Sequence, residues 1–232
     1  MITFPAMAKA PAGRPALDGN AVRTQRTRER ILAVSLGLFN ARGEAHVTTG
    51  MIADELGISP GNLYYHFRNK DQIVERLFDR FEERISIEPP AAAGGAGAIE
   101  DLWLYLHLMF EAVWDYRFLY RNLDDIVGRN RRLRLHFNRI VETKLAAVEG
   151  LCHGLARAGL LEANAGEMRA LALNVLVVAT YWLNFQAVRG GHESGDPRDP
   201  GLGAFQVMSL VAPYLAGEAR RHFERLGREY VR

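Results

Sequence analysis

The densest chemistry-bearing stretch of the chain runs from Thr48 to Lys70, TTGMIADELGISPGNLYYHFRNK. Thr48 precedes an apolar-periodic segment as an N-cap. Ile52 and Leu56 lie one turn apart and face inward, and Ala53 is small where a second helix must cross. Gly57 falls where a sharp turn needs a left-handed residue. Ser59 caps the next helix, and Pro60 takes its first position, where a missing N–H costs nothing. Two short helices joined by a glycine-containing turn make a helix-turn-helix. The second has an unusual outer face. Gly61, Asn62, Tyr64, Tyr65 and His66 include no carboxylate. Asn62 can pair with an adenine edge in a major groove. Tyrosine hydroxyls, His66 and the cap groups can hold phosphates. Lys70 opens the following helix, where its ammonium and the helix dipole both favour a phosphate. Tyr64 and Tyr65 have an alternative as packing aromatics, and His66 as a capping or core histidine. Leu63 and Phe67 face the core.

Other constellations are weaker. Cys152-His153 has the types of a thiol nucleophile and a base, but neighbours on a helix point about 100° apart, so a structural pair is the better reading. His192, Glu193, Ser194 and Asp196 have metal or triad types, yet they sit in a Gly/Pro loop with no rigid scaffold. Arg129, Arg131, Arg132 and Arg134 could receive a phosphorylated ligand; a solvated helix start facing Asp124 and Asp125 is favoured. No catalytic residue, metal site or cofactor is expected, and the chain does not read as an enzyme.

The elements that position these residues are all helical. Ile31, Val34, Leu38 and Phe39 give one face to a helix from about Thr24 to Arg42, ended by Gly43 at a position that needs positive φ. Asn69 with Gln72 resembles a capping box, and Ile73, Val74, Leu77, Phe78, Phe81 and Ile85 line the helix that follows. Pro89-Pro90 and the Ala/Gly-rich run after it mark a boundary. Beyond it come a helix lined by Ile99, Leu102, Trp103, Leu106, Phe110 and Val113, and a short one from about Phe118 to Val127, stopping at Gly128. A long one follows, lined by Leu133, Phe137, Ile140, Val148, Leu151 and Leu155. An uncharged helix spans 165–188, a polar loop covers 190–201, and a last helix starts near Leu202, where Pro213 should kink or divide it. The fold class is therefore all-α: an N-terminal three-helix helix-turn-helix domain plus a C-terminal helical bundle. The division is a disordered leader (1–22), with Gly13-Arg14-Pro15 as a candidate minor-groove arm, a helix-turn-helix DNA-binding domain (23–88), a linker (89–98) and a C-terminal helical domain (99–232).

Charge supports that division. The 232 residues carry a formal net charge of only +2. Residues 1–70 hold nine basic and five acidic groups, and residues 71–88 hold three and six. A locally basic N-terminal unit suits an anionic partner. A single cysteine, Cys152, excludes an intramolecular disulfide and points to a reducing compartment. No secretory pattern opens the sequence, so a cytoplasmic location is expected. Residues 170–188 carry no charge over a bilayer-spanning length, but Asn174, Thr180, Asn184 and Gln186 argue for a buried bundle helix and no membrane.

The pattern Thr48-x3-Ile52-Ala53-x3-Gly57-Ile58-Ser59-x-Gly61-x-Leu63-Tyr64-x-His66-Phe67-x2-Lys70 closely resembles the TetR family of bacterial regulators. The resemblance implies a three-helix DNA-binding domain whose fourth helix leads into a larger helical domain, which binds an inducer and dimerises through its last two long helices. Carried over by position, the DNA contacts fall on Thr48, Ser59, Pro60, Gly61, Asn62, Tyr64, Tyr65, His66 and Lys70, with Thr49 and Arg28 at helix starts. The family often has lysine where Pro60 stands, so that phosphate contact is missing here. Residues 102–129 are also similar to regulators of polyhydroxyalkanoate gene clusters, which implies a fatty-acyl signal.

The aromatics beyond the boundary suit an apolar cavity with a few polar contacts. Trp103, His107, Phe110, Trp114, Tyr120, Asn174 and Tyr181 are the candidate lining. One face of helix 165–188 would line that cavity; the other would pair with the last helix and a symmetry mate. The expected partners are a double-stranded operator, a second copy of the chain in an isologous homodimer and a small apolar or acyl-type effector. The alternative is a helical lipid- or acyl-binding protein whose N-terminal domain is only structural.

Overall fold

The structure is a computed structural model that describes residues 19–90, 97–189 and 200–227. Expectations for the leader up to residue 18, the run 91–96 and the loop 190–199, including His192, Glu193, Ser194 and Asp196, lie outside the described residues. Among the described residues every regular element is helical, with one isolated bridge between Leu161 and Leu215.

The N-terminal unit holds α1 (Gly19–Arg42), α2 (Thr49–Leu56), α3 (Pro60–His66) and α4 (Lys70–Ile85). Helix α1 begins at Gly19 rather than near Thr24, so residues 19–22 belong to it and not to a leader. Nothing between breaks a helix, and Gln25 donates to Glu29 one turn on. Gly43 ends α1 with φ 81°, as its position required, and a short 3-10 turn, Glu44–His46, leads to α2. Asn69 caps α4 through the N–H of Gln72 at 2.9 Å; the Gln72 side chain reaches back to the N–H of Arg68 rather than to that of Asn69.

Among the described residues seven further helices follow: α5 (Gly97–Asp115), α6 (Arg117–Arg121), α7 (Leu123–Arg129), α8 (Arg131–Arg157), α9 (Ala165–Val188), α10 (Pro200–Val211) and α11 (Gly217–Gly227). Gly97 and Ala98 open α5 and are not linker; Ala98 and Ile99 are buried at its start. The single short helix expected over 118–127 is two, turned at Asn122, and the second runs through Gly128 to Arg129. Phe118, Leu119 and Tyr120 before the turn and Leu123 and Ile126 after it are buried in one core cluster. Pro213 does divide the last helix: a 3-10 turn, Ala212–Tyr214, separates α10 from α11.

The two halves do not have separate cores. Phe39 of α1, Phe67, and Phe78 and Phe81 of α4 share one buried cluster with Phe118, Leu119, Tyr120, Leu133 and Phe137. The rings of Phe39 and Phe118 lie 5.3 Å apart, and Phe118 is fully buried, which contributes about 1.5–3 kcal/mol. Asn40 is buried beside them. Its amide donates to the carbonyl of Asp115 at 2.7 Å and its oxygen accepts from the N–H of Phe118 at 3.1 Å, closing the α5–α6 corner onto α1. A second cluster joins α5, α8, α9, α10 and α11, and there a Cβ on Gly203 would run into the ring of Phe110.

Along α4 the first half of α8 forms a polar seam. The Asn130 amide donates to Glu75 at 2.9 Å, Arg132 to Asp79 at 2.7 Å, and His136 sits 3.0 Å from Glu82. Beyond the end of α4, the Lys144 ammonium donates to the carbonyl of Ile87 at 2.9 Å. Individually, such partly exposed pairs contribute at most about 1 kcal/mol. In order, they hold α8 in register with α4 along its length.

Candidate nucleic-acid interface and effector cavity

The helix-turn-helix closes as its residue types dictate. The Thr48 hydroxyl accepts from the N–H of Met51 and the Ser59 hydroxyl from that of Asn62, both at 3.2 Å. Gly57 is left-handed at φ 64° and ψ 35°, and the N–H of Ile58 returns to the carbonyl of Ala53 at 3.0 Å. Ile52, Ala53, Leu63 and Phe67 are buried, so the inner face of α3 is fixed.

Its outer face is open. Pro60, Gly61 and Asn62 are exposed, and Tyr64 and Tyr65 are 48% and 77% exposed, which places neither tyrosine in the core. The Tyr64 hydroxyl lies 3.0 Å from that of Thr49, so two residues from different helices present one polar pair. His66 is partly buried, edge-on to Tyr65, and burial together with the Arg28 guanidinium pushes its imidazole below the usual histidine range.

Two expected residues are placed otherwise. The Lys70 ammonium does not project outward. It lies 2.9 Å from both the carboxylate and the backbone carbonyl of Glu44, which is fully buried and also takes Arg129 at 2.6 Å. A buried carboxylate needs paired charge, and Lys70 supplies it. Arg28 turns inward likewise: it donates to the carbonyl of His66 at 3.1 Å and lies 4.6 Å above the Phe67 ring, tying α1 to the end of α3. The cations that do face the recognition helix are Arg23, Arg26 and Arg30, which with Asn62, Tyr65 and His66 line a groove of about 640 Å³ between α1 and α3. Their spacing of three and four puts them on one helix face, a signal available in the sequence.

The Arg129–Arg134 cluster is partly neutralised, Arg129 by Glu44 and Asp125, and Arg132 by Glu75 and Asp79. Cys152 is buried and His153 exposed, so they do not pair on one face; burial pushes the thiol up.

An apolar cavity of about 80 Å³ lies between α4, α5, α8 and α9. Of the expected lining, Phe110 and Tyr120 reach it. Trp103 instead packs on Phe223 and on His107, whose ring meets the Trp103 carbonyl. Trp114 lies beneath Arg117, 4.5 Å from its ring. Asn174 and Tyr181 are exposed; their neighbours Val175 and Thr180 face the cavity, since adjacent helical residues point about 100° apart. Tyr105 and Lys144 were missed. Lys144 stands four residues after Ile140 and four before Val148 on the apolar stripe of α8, a charge where the period called for an apolar residue.

An α3 helix whose open polar face adjoins a basic groove, locked by α4 to a larger helical body, is the architecture of a helix-turn-helix DNA-binding protein. The model of the family described as "Bacterial regulatory proteins, tetR family" matches residues 31–77, and that of the TetR family described as "Bacterial transcriptional repressor" matches residues 76–223. The chain therefore belongs to the TetR family of transcriptional regulators. A TetR-family regulator from Marinobacter aquaeolei VT8 superposes with a TM-score of 0.77 at 36% identity, covering 88% of this chain and 98% of that one. Among curated proteins, the transcriptional regulator AcrR of Shigella flexneri is 34% identical over 61 residues, and TtgR of Pseudomonas putida 37% over 59 residues. These segments amount to 26% and 25% of this chain and to 28% of each relative's own length.

Proposed function

We propose that the chain is a repressor that binds a pseudo-palindromic operator as a homodimer and responds to a small apolar, acyl-type effector in the cavity. The observation that carries the reading is the outer face of α3. Asn62, Tyr64 and Tyr65 stand open beside the Arg23–Arg26–Arg30 face, while Leu63 on the same helix is fully buried. Asn62 reads a base edge, and Thr48, Thr49, Ser59, Gly61, Tyr64, Tyr65 and His66 position the backbone. Lys70 and Arg28 act by fixing the elements that present these groups. The unit from α1 to α4 serves as the reading head, and the helices from α5 onward as the sensing and pairing part.

The dimer reading rests on α9. Leu173, Val177, Tyr181 and Phe185 repeat every fourth residue and are each about half exposed, at 54%, 52%, 45% and 53%. Such an exposed stripe on a 24-residue helix invites a copy of itself. The helix is also long and apolar enough to cross a membrane by length and composition alone. Asn174 and Asn184 on it disfavour lipid. A regulator of this kind works in the cytoplasm, where the chromosome lies.

The test is a titration of the purified protein against its own upstream DNA. Salt-dependent, nanomolar binding is expected, with Asn62→Ala relaxing base preference at one position of each half-site. Binding no tighter to that DNA than to an unrelated duplex would favour the helical acyl-binding alternative.

A further inference from the structure

We infer that the effector is a free aliphatic carboxylate whose head group is taken by Lys144 and Tyr105, and that its charge is what disengages the end of α4. The inference rests on the proposed effector response and names the chemistry of that site.

A cation in an apolar chamber is the starting observation. The chamber wall is built from residues such as Ile85, Met109, Phe110, Val113, Phe137 and Val148, with Lys144 the charged side chain among its lining. Burial holds the Lys144 ammonium below the usual lysine range, and Glu88 opposes that shift. The Tyr105 phenol is buried and pushed up to about 12 by burial and by Glu88, so it remains a donor at neutral pH. Lys144 donates to the Tyr105 oxygen at 3.4 Å, which leaves the phenol's own proton for a third group. One carboxylate can accept from both, a charge-assisted arrangement in a region of low dielectric.

A second chamber of about 170 Å³ shares Ile85, Ile140 and Lys144 with the first and adds Ser86, Glu88, Arg139 and Thr143. Lys144 thus stands between a dry interior and a polar mouth, which is the layout for an amphiphile with its chain inward. Neither chamber reaches the roughly 300 Å³ at which ligand pockets begin, so occupation has to part the walls.

The wall that yields is identified by Lys144 itself. Its ammonium holds the carbonyl of Ile87, just beyond α4. An arriving carboxylate takes that ammonium and repels Glu88 on the same segment. Both effects release the C-terminal end of α4, while the seam to α8 remains at Glu75, Asp79 and Glu82. Helix α4 then pivots and carries α3 with it.

Calorimetric titration of the full-length protein with dodecanoate and with dodecanol tests the assignment. Dodecanoate is expected to bind about tenfold or more tightly than the alcohol. Lys144→Met should abolish that preference by weakening the acid alone; Lys144→Arg should retain most of it. Unchanged binding of the alcohol by Lys144→Met serves as the control for folding. Dodecanoate should also lower operator affinity in a gel shift. Equal affinity of acid and alcohol in the unmodified protein overturns the head-group assignment, and so does binding of neither. Acid binding that leaves operator affinity unchanged overturns the release of α4. Operator binding in the ligand-free protein reports separately on the regulator reading, which survives any of these failures.

Discussion

Glu44 shows how a residue's neighbours redirect its expected chemistry. Its carboxylate is fully buried, and both Lys70 and Arg129 are drawn to it. Lys70→Ala should therefore first cost stability, about 1–3 kcal/mol, because a buried acceptor loses its partner. Urea denaturation read by circular dichroism checks this. Lost DNA affinity at unchanged stability would return Lys70 to a phosphate-holding role. His66 gives a pH signature. In the free protein burial and Arg28 hold its imidazole below 6.5. Phosphates beside it would favour the imidazolium, so the DNA complex takes up a proton that the free protein does not. Operator affinity should rise as the pH falls from 7.5 to about 6, and His66→Gln should flatten that rise. Folding responds with the opposite sign. The unfolded histidine protonates first, so the contribution of His66 to stability is present above about 6.5 and lost as the pH falls through its lower folded value. A melting series across the same range separates the two effects.

Helices, caps and glycine turns were legible in the sequence because they depend on local spacing. Gly43 takes the positive φ and Gly57 the left-handed conformation assigned to them, and α9 covers the expected 165–188. The long-range pairs were not legible. Arg129 meets Glu44 across 85 positions, and Asn40 meets Phe118 across 78. No period in the chain encodes such distances. The cavity was legible as a density of aromatics but not as a lining, because one residue's error in helical phase exchanges Asn174 for Val175. On α1 the same phase argument distinguishes neighbouring arginines. Arg26→Ala should weaken binding to all sequences alike and reduce the salt slope by about one. Arg28→Ala should instead lower thermal stability by about 1 kcal/mol through its lost bond and ring contact at the end of α3. Fluorescence anisotropy at several salt concentrations, alongside melting curves, distinguishes the two.

At the scale of the molecule, the proposed dimer covers the exposed stripe on α9 and sets two recognition helices in successive major grooves, about 34–36 Å apart or a multiple of that. Val177→Glu puts a charge at its centre. Sedimentation velocity should show a monomer, with operator affinity falling at least about a hundredfold as the advantage of two linked heads is lost. A dimer that persists would place the two-fold elsewhere.

The shared cluster around Phe39, Phe81, Phe118 and Tyr120 also sets the unit in which such proteins can exchange parts. Pro89-Pro90 looks like a natural cutting point for grafting this head onto a foreign sensor. A graft made there strips Phe39 of Phe118 and leaves Asn40 without the chain turn it closes. The transplantable piece is discontinuous: residues 19–90 together with the α6–α7 corner and the start of α8. A chimera cut at the prolines is therefore expected to melt below one that keeps this corner, because its head loses the shared core.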